Sequence, residues 1–133
     1  MFLGSYKPSF NVKSRRIALP KKIRDVLITR EIILSLGFEK CIFGFDTKAW
    51  EKESAKQLAG SLTEKQSRHI RRYFFSSAEY IKLDDQGRFV IPGNLRKYAK
   101  VKKPIIIGAG DHFEIWDEAS WQKHLKEIQV VTK

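Results

Sequence analysis

A stretch of basic side chains near the start of the chain has the residue types needed to bind a polyanion. Residues 7–24 contain no acidic residue. Their basic residues are Lys7, Lys13, Arg15, Arg16, Lys21, Lys22 and Arg24. Lysine and arginine contact phosphates, and an arginine held beside a turn can also donate two hydrogen bonds to guanine. This density of one charge sign argues against a surface that is basic only for solubility.

A second basic stretch surrounds Arg88 and differs from the first in carrying acidic residues. Asp84 and Asp85 precede Gly87 and Arg88. Glycine adopts positive φ and aspartate accepts hydrogen bonds from nearby backbone amides, so this segment is typical of a tight turn. We interpret Asp84 as an ion-pair partner that holds the loop and presents Arg88, rather than as a catalytic group. The other basic residues here are Lys82, Arg96, Lys97 and Lys100.

Residue types that serve catalysis or metal binding are scattered along the chain. His69, His112 and His124 are separated from one another and from Cys41, so no metal-ligand spacing is present. Cys41 lies in an apolar run and is predicted to be a buried, unreactive thiol. The remaining conspicuous side chains are explained as helix caps (Asp46, Asp117) and as core or interface anchors (Trp50, Trp116, Trp121). The sequence therefore predicts a protein that is not an enzyme, with no metal, cofactor or small-molecule substrate.

The overall composition is that of a globular domain with a polyanionic partner. The chain has 133 residues, enough for one domain with its own core, and a formal net charge of +11. Its single cysteine excludes an intramolecular disulfide and is compatible with a reducing compartment. We see neither a signal peptide nor an apolar run of the roughly 18 residues that span a membrane, so we expect a cytoplasmic protein without a membrane partner.

The chain reads as a tandem duplication. Pro20 and Arg24 recur as Pro92 and Arg96 at an offset of 72. Three further matches, at an offset of 71, pair Gly37, Asp46 and Trp50 with Gly108, Asp117 and Trp121. Such agreement of turn, capping and apolar positions is not expected by chance. We therefore divide a single domain, residues 1–133, into a first repeat at 5–60, a linker helix at 61–76 and a second repeat at 77–128.

Each repeat is predicted to have the same order of elements. In the first, strands at 6–10, 16–19, 31–36 and 41–45 accompany a basic helix from Pro20 to about Leu27 and a helix at 47–59. In the second, strands at 78–83, 88–91, 104–108 and 112–116 accompany helices at 93–99 and 118–128. Residues 64–75 of the linker fit an amphipathic helix. We predict an α+β fold in which both repeats close into one small β-barrel with short helices, because neither buries its sheet alone.

Three segments of this sequence resemble the MraZ family. They are residues 1–6, 83–96 and 113–116, and the likeness extends in order over about residues 1–128. The resemblance implies a tandem of AbrB-type swapped-hairpin DNA-binding units. It also implies a bacterial transcriptional regulator, associated with the nucleoid and assembled into a homo-oligomeric ring. Such regulators bind short repeated sites in double-stranded DNA upstream of the division and cell-wall gene cluster that encodes them.

The second repeat matches the family signature, an aspartate followed four residues later by arginine. Asp84, Gly87 and Arg88 occupy its positions. The resemblance implies that Asp84 and Gly87 fix the loop and that Arg88 contacts DNA.

The first repeat departs from that signature. Asn11 replaces the aspartate and Ser14 replaces the glycine. Counting from Asn11 makes Arg15 the signature arginine, whereas counting back from Pro20 makes it Arg16, so we expect one inserted residue, accommodated as a bulge. Losing the aspartate removes a loop-fixing acceptor and a negative charge. We therefore expect the first loop to be more mobile and more cationic than the second.

Two functional hypotheses follow. The first is a DNA-binding transcriptional regulator with base or groove contacts from Arg88 and from Arg15 or Arg16. Its phosphate contacts would come from Lys13, Lys21, Lys22 and Arg24. The alternative is a non-enzymatic scaffold or antitoxin-like interaction module whose basic face binds an acidic protein partner. RNA binding is less favoured, because aromatic residues are not interleaved with the basic turn residues.

Overall fold

The chain alternates short strands and helices, and the computed structural model describes the backbone of residues 1–132 and the side chains of residues 1–129. The strands are β1 (Ser5–Tyr6), β2 (Phe10–Asn11), β3 (Arg16–Ala18), β4 (Glu31–Leu36), β5 (Ile42–Asp46), β6 (Glu79–Lys82), β7 (Arg88–Val90), β8 (Pro104–Gly108) and β9 (Phe113–Asp117). The helices are α1 (Lys21–Arg24), α2 (Thr47–Leu58), α3 (Lys65–Ser77), α4 (Gly93–Ala99) and α5 (Glu118–Thr132). The last residue of the predicted domain at 1–133 lies outside the described residues.

The larger sheet interleaves the two repeats. Its six antiparallel strands have the order β1-β8-β9-β5-β4-β6. Strand β1 of the first repeat pairs with β8 of the second, and β6 of the second pairs with β4 of the first. The two central hairpins meet where β5 pairs with β9, in a register that places Phe43 opposite Glu114. Each repeat therefore supplies an edge strand to the hairpin of the other.

The α+β class and the tandem arrangement are confirmed, but the predicted closed barrel is wrong. The strands form the six-stranded sheet and a separate three-stranded sheet, β2-β3-β7. The single strand predicted at 6–10 is also wrong, because it is divided into β1 and β2, which belong to different sheets. Pro8 lies between them and has no N–H to donate to a ladder. The chain changes sheets at this point.

Helices α2, α3 and α4 end close to the predicted positions, but α5 continues to Thr132 instead of ending at 128, and α1 is shorter than predicted. The helix predicted from Pro20 to Leu27 is only a single turn, α1. It ends at Arg24, and the next residue, Asp25, donates its N–H to Lys21 O. The predicted cap at Asp46 is confirmed, since its carboxylate accepts a 2.7 Å hydrogen bond from Ala49 N. No helix among the described residues is long and apolar enough to cross a bilayer.

The main core joins both sheets, and helices cover the other face of the larger one. Successive residues of β4 divide between these faces, with Ile32 in the main core and Ile33 against α2 and α3. Trp50 and Trp116 are both buried, as predicted. Trp121 of α5 packs on Trp116 with ring centroids 5.4 Å apart. The smaller sheet contributes Ile17 and Phe89 to the main core and is fixed to the larger sheet through these buried side chains.

Candidate nucleic-acid interface

The basic residues of the two repeats meet on the three-stranded sheet. Strands β3 and β7 pair antiparallel with Ile17 opposite Phe89, and both of these side chains are buried in the core. Arg16 lies opposite Val90 and Arg88 opposite Ala18. Because side chains alternate along a strand, these four residues share the outer face. The repeats are related here by a pseudo-two-fold axis through the central pair, which makes Arg16 the structural counterpart of Arg88.

An open groove separates the two arginines. Its volume is about 430 Å³ and it is lined by Ser9, Phe10, Asn11, Ser14, Arg16, Ala18 and Arg88. Arg16 and Arg88 occupy diagonal positions across the strand pair, which separates their backbones by about 7–8 Å. Two guanidinium groups from different repeats therefore face one groove on the three-stranded sheet.

The loop between β6 and β7, which we call the second loop (residues 84–88), is fixed by its aspartate. One carboxylate oxygen of Asp84 accepts hydrogen bonds from Gln86 N at 2.9 Å and Arg88 N at 2.8 Å. The other oxygen accepts from Arg88 Nε at 2.7 Å. The backbone N–H of Arg88, followed by its guanidinium, lowers the pKa of Asp84 to about 2. Asp84 is therefore ionised at neutral pH, and it holds both the loop backbone and the arginine side chain.

Gly87 completes this loop through a close contact with the first repeat. Its φ is +73°, and a Cβ at this position would lie 2.1 Å from Arg24 Cδ. Gly87 O also accepts a 3.0 Å hydrogen bond from Leu19 N. Arg24 was predicted to contact phosphate, but the structure places it, partly buried, behind the second loop, with a buried Nε that has no hydrogen-bond partner. Its position indicates that it supports this loop.

The loop between β2 and β3, the first loop (residues 11–16), has one more residue than the second. Arg15 N donates to Asn11 O at 2.7 Å, and Arg15 has a φ of +60°. Arg15 thus adopts the left-handed conformation that Gly87 adopts in the second loop. Arg16 follows it at the start of β3, so counting back from Pro20 identifies the structural equivalent of Arg88.

Asn11 holds the backbone of the first loop in the manner of Asp84. Its amide oxygen accepts hydrogen bonds from Lys13 N and Ser14 N, both at 3.0 Å. Ser14 Oγ accepts a longer bond of 3.4 Å from Arg16 N. The expected loss of the acceptor is therefore wrong, because an asparagine oxygen supplies it. The negative charge is absent, and Asn11 makes no contact equivalent to the Asp84–Arg88 ion pair.

The surrounding charges make the two loops electrostatically different. Asp85 of the second loop forms an ion pair with Arg30, so both of its acidic residues face arginines. The first loop carries Lys13, Arg15 and Arg16, whose side chains have no hydrogen-bonding or charged partner among the described residues.

The lysines of the first basic stretch that lie outside the first loop have different surroundings. On α1, Lys21 forms an exposed 2.9 Å ion pair with Asp25, whereas Lys22 is exposed and makes none with the side chains described, those of residues 1–129. Lys7 forms a 3.2 Å ion pair with Glu118.

A histidine–carboxylate network on the other face of the larger sheet was not predicted from the sequence. His112 Nδ1 and Nε2 each lie 2.8 Å from a carboxylate oxygen, of Asp111 and Glu114 respectively. Glu114 also accepts from Trp116 Nε1 at 2.9 Å. Burial alone lowers the pKa of His112, but hydrogen bonds to the two carboxylates outweigh it and raise the pKa above 6.5. The sequence signal that could have indicated this network is the spacing of two residues between His112 and Glu114, which places both on one face of the strand.

Cys41 lies near this network and is buried, as predicted. Burial, and then the charge of Glu114, raise the pKa of its thiol. The thiolate needed for nucleophilic chemistry is therefore disfavoured. Among residues 1–132, no group of three or more histidine, cysteine, aspartate or glutamate residues has an arrangement that fits a metal ion.

Comparison with protein families agrees with the duplication. The family model described as "MraZ protein, putative antitoxin-like" matches the chain twice, at residues 1–73 and at residues 74–132. The two matches together cover nearly the whole chain and divide within α3.

Proposed function

The chain belongs to the MraZ family, and we propose that it is a non-enzymatic, sequence-specific DNA-binding transcriptional regulator. The observation that carries this proposal is the groove of the three-stranded sheet, into which Arg16 and Arg88 face from two repeats. Arginine donates a bidentate pair of hydrogen bonds to guanine in the major groove. Strands of a sheet can present such side chains to a DNA groove from a fixed backbone. Val90, 47% exposed beside them, offers an apolar contact for a thymine methyl group.

Phosphate contacts set the register of this interface. Lys13, Arg15 and Lys22 are exposed and unpaired within the described part of the chain, so binding DNA breaks no ion pair of theirs. If one subunit neutralises three to four phosphates, the logarithm of the binding constant falls with the logarithm of salt concentration at a slope of about −3. Such a single contact is weak at physiological salt.

Weak single contacts favour an assembly that binds repeated sites. We therefore extend the proposal to a homo-oligomeric ring that acts in the cytoplasm at the nucleoid, on short repeats upstream of the division and cell-wall gene cluster. Several subunits bound to one DNA convert later contacts into intramolecular ones, with avidity gains of ~10² or more. Straight DNA contacts only a few adjacent subunits of a ring unless the ring deforms or the DNA bends.

Binding measurements on DNA from upstream of the chain's own gene test the proposal. Fluorescence anisotropy with this probe and a scrambled one, at two salt concentrations, should show tighter binding to the native probe at both. The double variant R16A/R88A should lose this binding. The matched control K123A/K126A removes the same charge from α5, which packs on the larger sheet, and should retain the preference. Equal binding of both probes by the unaltered protein would overturn the proposal.

The antitoxin-like description of the family favours one second candidate, an interaction module whose basic groove binds an acidic protein. It predicts that DNA affinity is unchanged in R16A/R88A while binding to the partner is lost. The same pair of variants therefore discriminates the two functions.

A further inference from the structure

The two groove arginines differ in what holds them. Arg88 Nε donates to Asp84 at 2.7 Å, and the same carboxylate is anchored by two backbone amides. Among residues 1–129, whose side chains the structure describes, Arg16 has no side-chain hydrogen bond or ion pair. In the first loop, the position equivalent to Asp84 is occupied by Asn11. The amide oxygen of Asn11 already accepts hydrogen bonds from Lys13 N and Ser14 N. One arginine is therefore oriented before DNA arrives, and the other is not.

The ion pair decides which donors Arg88 presents. With Nε bound to Asp84, the two terminal nitrogens remain available, and they form a planar fork of parallel donors. A fork of this kind matches the O6 and N7 acceptors of guanine. The carboxylate also reduces the net charge of the second loop, which weakens its attraction to phosphate. Both effects favour base recognition at Arg88.

The first loop has the opposite character. It carries Lys13, Arg15 and Arg16 without an acidic residue, and its extra residue places Arg16 five positions after Asn11 instead of four. An arginine without a partner in a strongly cationic loop binds phosphate from many orientations, whereas a bidentate base contact requires one orientation.

We infer that the two loops have different roles in DNA recognition. Arg88, positioned by Asp84, reads a guanine, and the first loop with Arg16 binds the phosphate backbone without reading sequence. This inference rests on the proposed DNA-binding function and goes beyond it, because family membership gives both loops the same signature role.

A matched pair of lysine substitutions tests the division. Lysine keeps the charge of arginine but lacks its planar fork. The quantity to measure is the ratio of affinities for native and scrambled probes, with the full-length protein. Arg88→Lys should lower this ratio at least about tenfold, and Arg16→Lys should leave it unchanged. Arg16→Ala should weaken binding to both probes alike and reduce the steepness of the salt dependence by about 0.9 for each engaged subunit.

Asp84→Asn tests the positioning role of the carboxylate. Asn11 already shows that an asparagine oxygen holds the backbone of such a loop, so this variant removes the ion pair and leaves the turn. It should lower the affinity ratio while leaving binding to the scrambled probe equal or stronger, since a negative charge is lost. A merely structural defect would weaken binding to both probes.

The outcomes separate this inference from the function on which it rests. If the unaltered protein prefers the native probe and both lysine variants lose that preference equally, the division of roles is overturned and the regulator remains. A loss confined to Arg16→Lys, or a normal ratio in Asp84→Asn, also overturns it. If the unaltered protein shows no preference, the proposed function itself fails.

Discussion

Gly87 is required by two separate constraints, and substitution should reveal both. Its φ of +73° is costly for residues with a Cβ, and that Cβ would displace Arg24 from its place behind the second loop. We expect Gly87→Ala to lower the free energy of unfolding by about 1–3 kcal/mol and to weaken DNA binding. Chemical denaturation and anisotropy measure the two effects.

Gly93 supplies the control for that experiment. It begins α4, and a Cβ there would meet no atom within 4 Å. Gly93→Ala should leave stability equal or raise it by up to about 1 kcal/mol, because alanine favours the helix. Equal effects of the two substitutions would contradict the role assigned to Gly87.

His112 should make the stability of the protein depend on pH. Although burial opposes its charged form, hydrogen bonds to Glu114 and Asp111 raise its pKa above 6.5 in the folded state. The stabilisation from the protonated ring is therefore complete below about pH 6.5 and is lost as the pH rises through the raised value. Denaturation of the unaltered protein and of His112→Gln between pH 6 and pH 9 should converge toward the alkaline end. A difference that grows with pH would refute this assignment.

The sequence could predict the second loop but not the choice between Arg15 and Arg16. Asp84 and Gly87 have distinct chemical preferences that identify a turn from spacing alone. Arg15 has no such preference, and its left-handed backbone is imposed by the closure of the loop between β2 and β3. The contacts of His112 likewise depend on its neighbours in a folded sheet.

At the scale of elements, local patterns located strands and helices but not their partners. Alternation identified the run that became β9, and Asp46 marked the start of α2. Neither signal says that β1 joins β8, since this pairing spans about a hundred residues of sequence. The predicted barrel failed for the same reason, because closure of a sheet is set by packing of the whole core.

Arg71 of α3 should stabilise the corner between α2 and α3. Its Nη2 donates to Leu58 O at 2.9 Å and also to Gly60 O, carbonyls at the end of α2. We expect Arg71→Ala to lower the free energy of unfolding by about 1–2 kcal/mol, since a charged donor is removed from two acceptors. Arg72 is the next residue and is exposed, so Arg72→Ala should change stability by less than about 0.5 kcal/mol. Urea titration compares them, and equal values would exclude this capping role.

At the scale of the whole molecule, the two repeats interleave, and the groove that they share is asymmetric. The pairs β1–β8, β4–β6, β5–β9 and β3–β7 all join different repeats. The groove is shared in the same way, with Arg16 from one repeat and Arg88 from the other. Because one chain contains both halves, each loop can differ from the other, as Asn11 in the place of Asp84 illustrates.

This interleaving predicts that neither repeat folds alone as a monomer. Fragments 1–60 and 61–133 retain their hairpins but lose every strand pair that joins the repeats. Each fragment exposes its half of the core and should not fold. At concentrations where sedimentation shows that a fragment is monomeric, circular dichroism should therefore show no cooperative thermal transition. An equimolar mixture should recover a cooperative transition, because each fragment supplies the edge strand that the other lacks. A monomeric fragment that unfolds cooperatively would show that the repeats are independent domains.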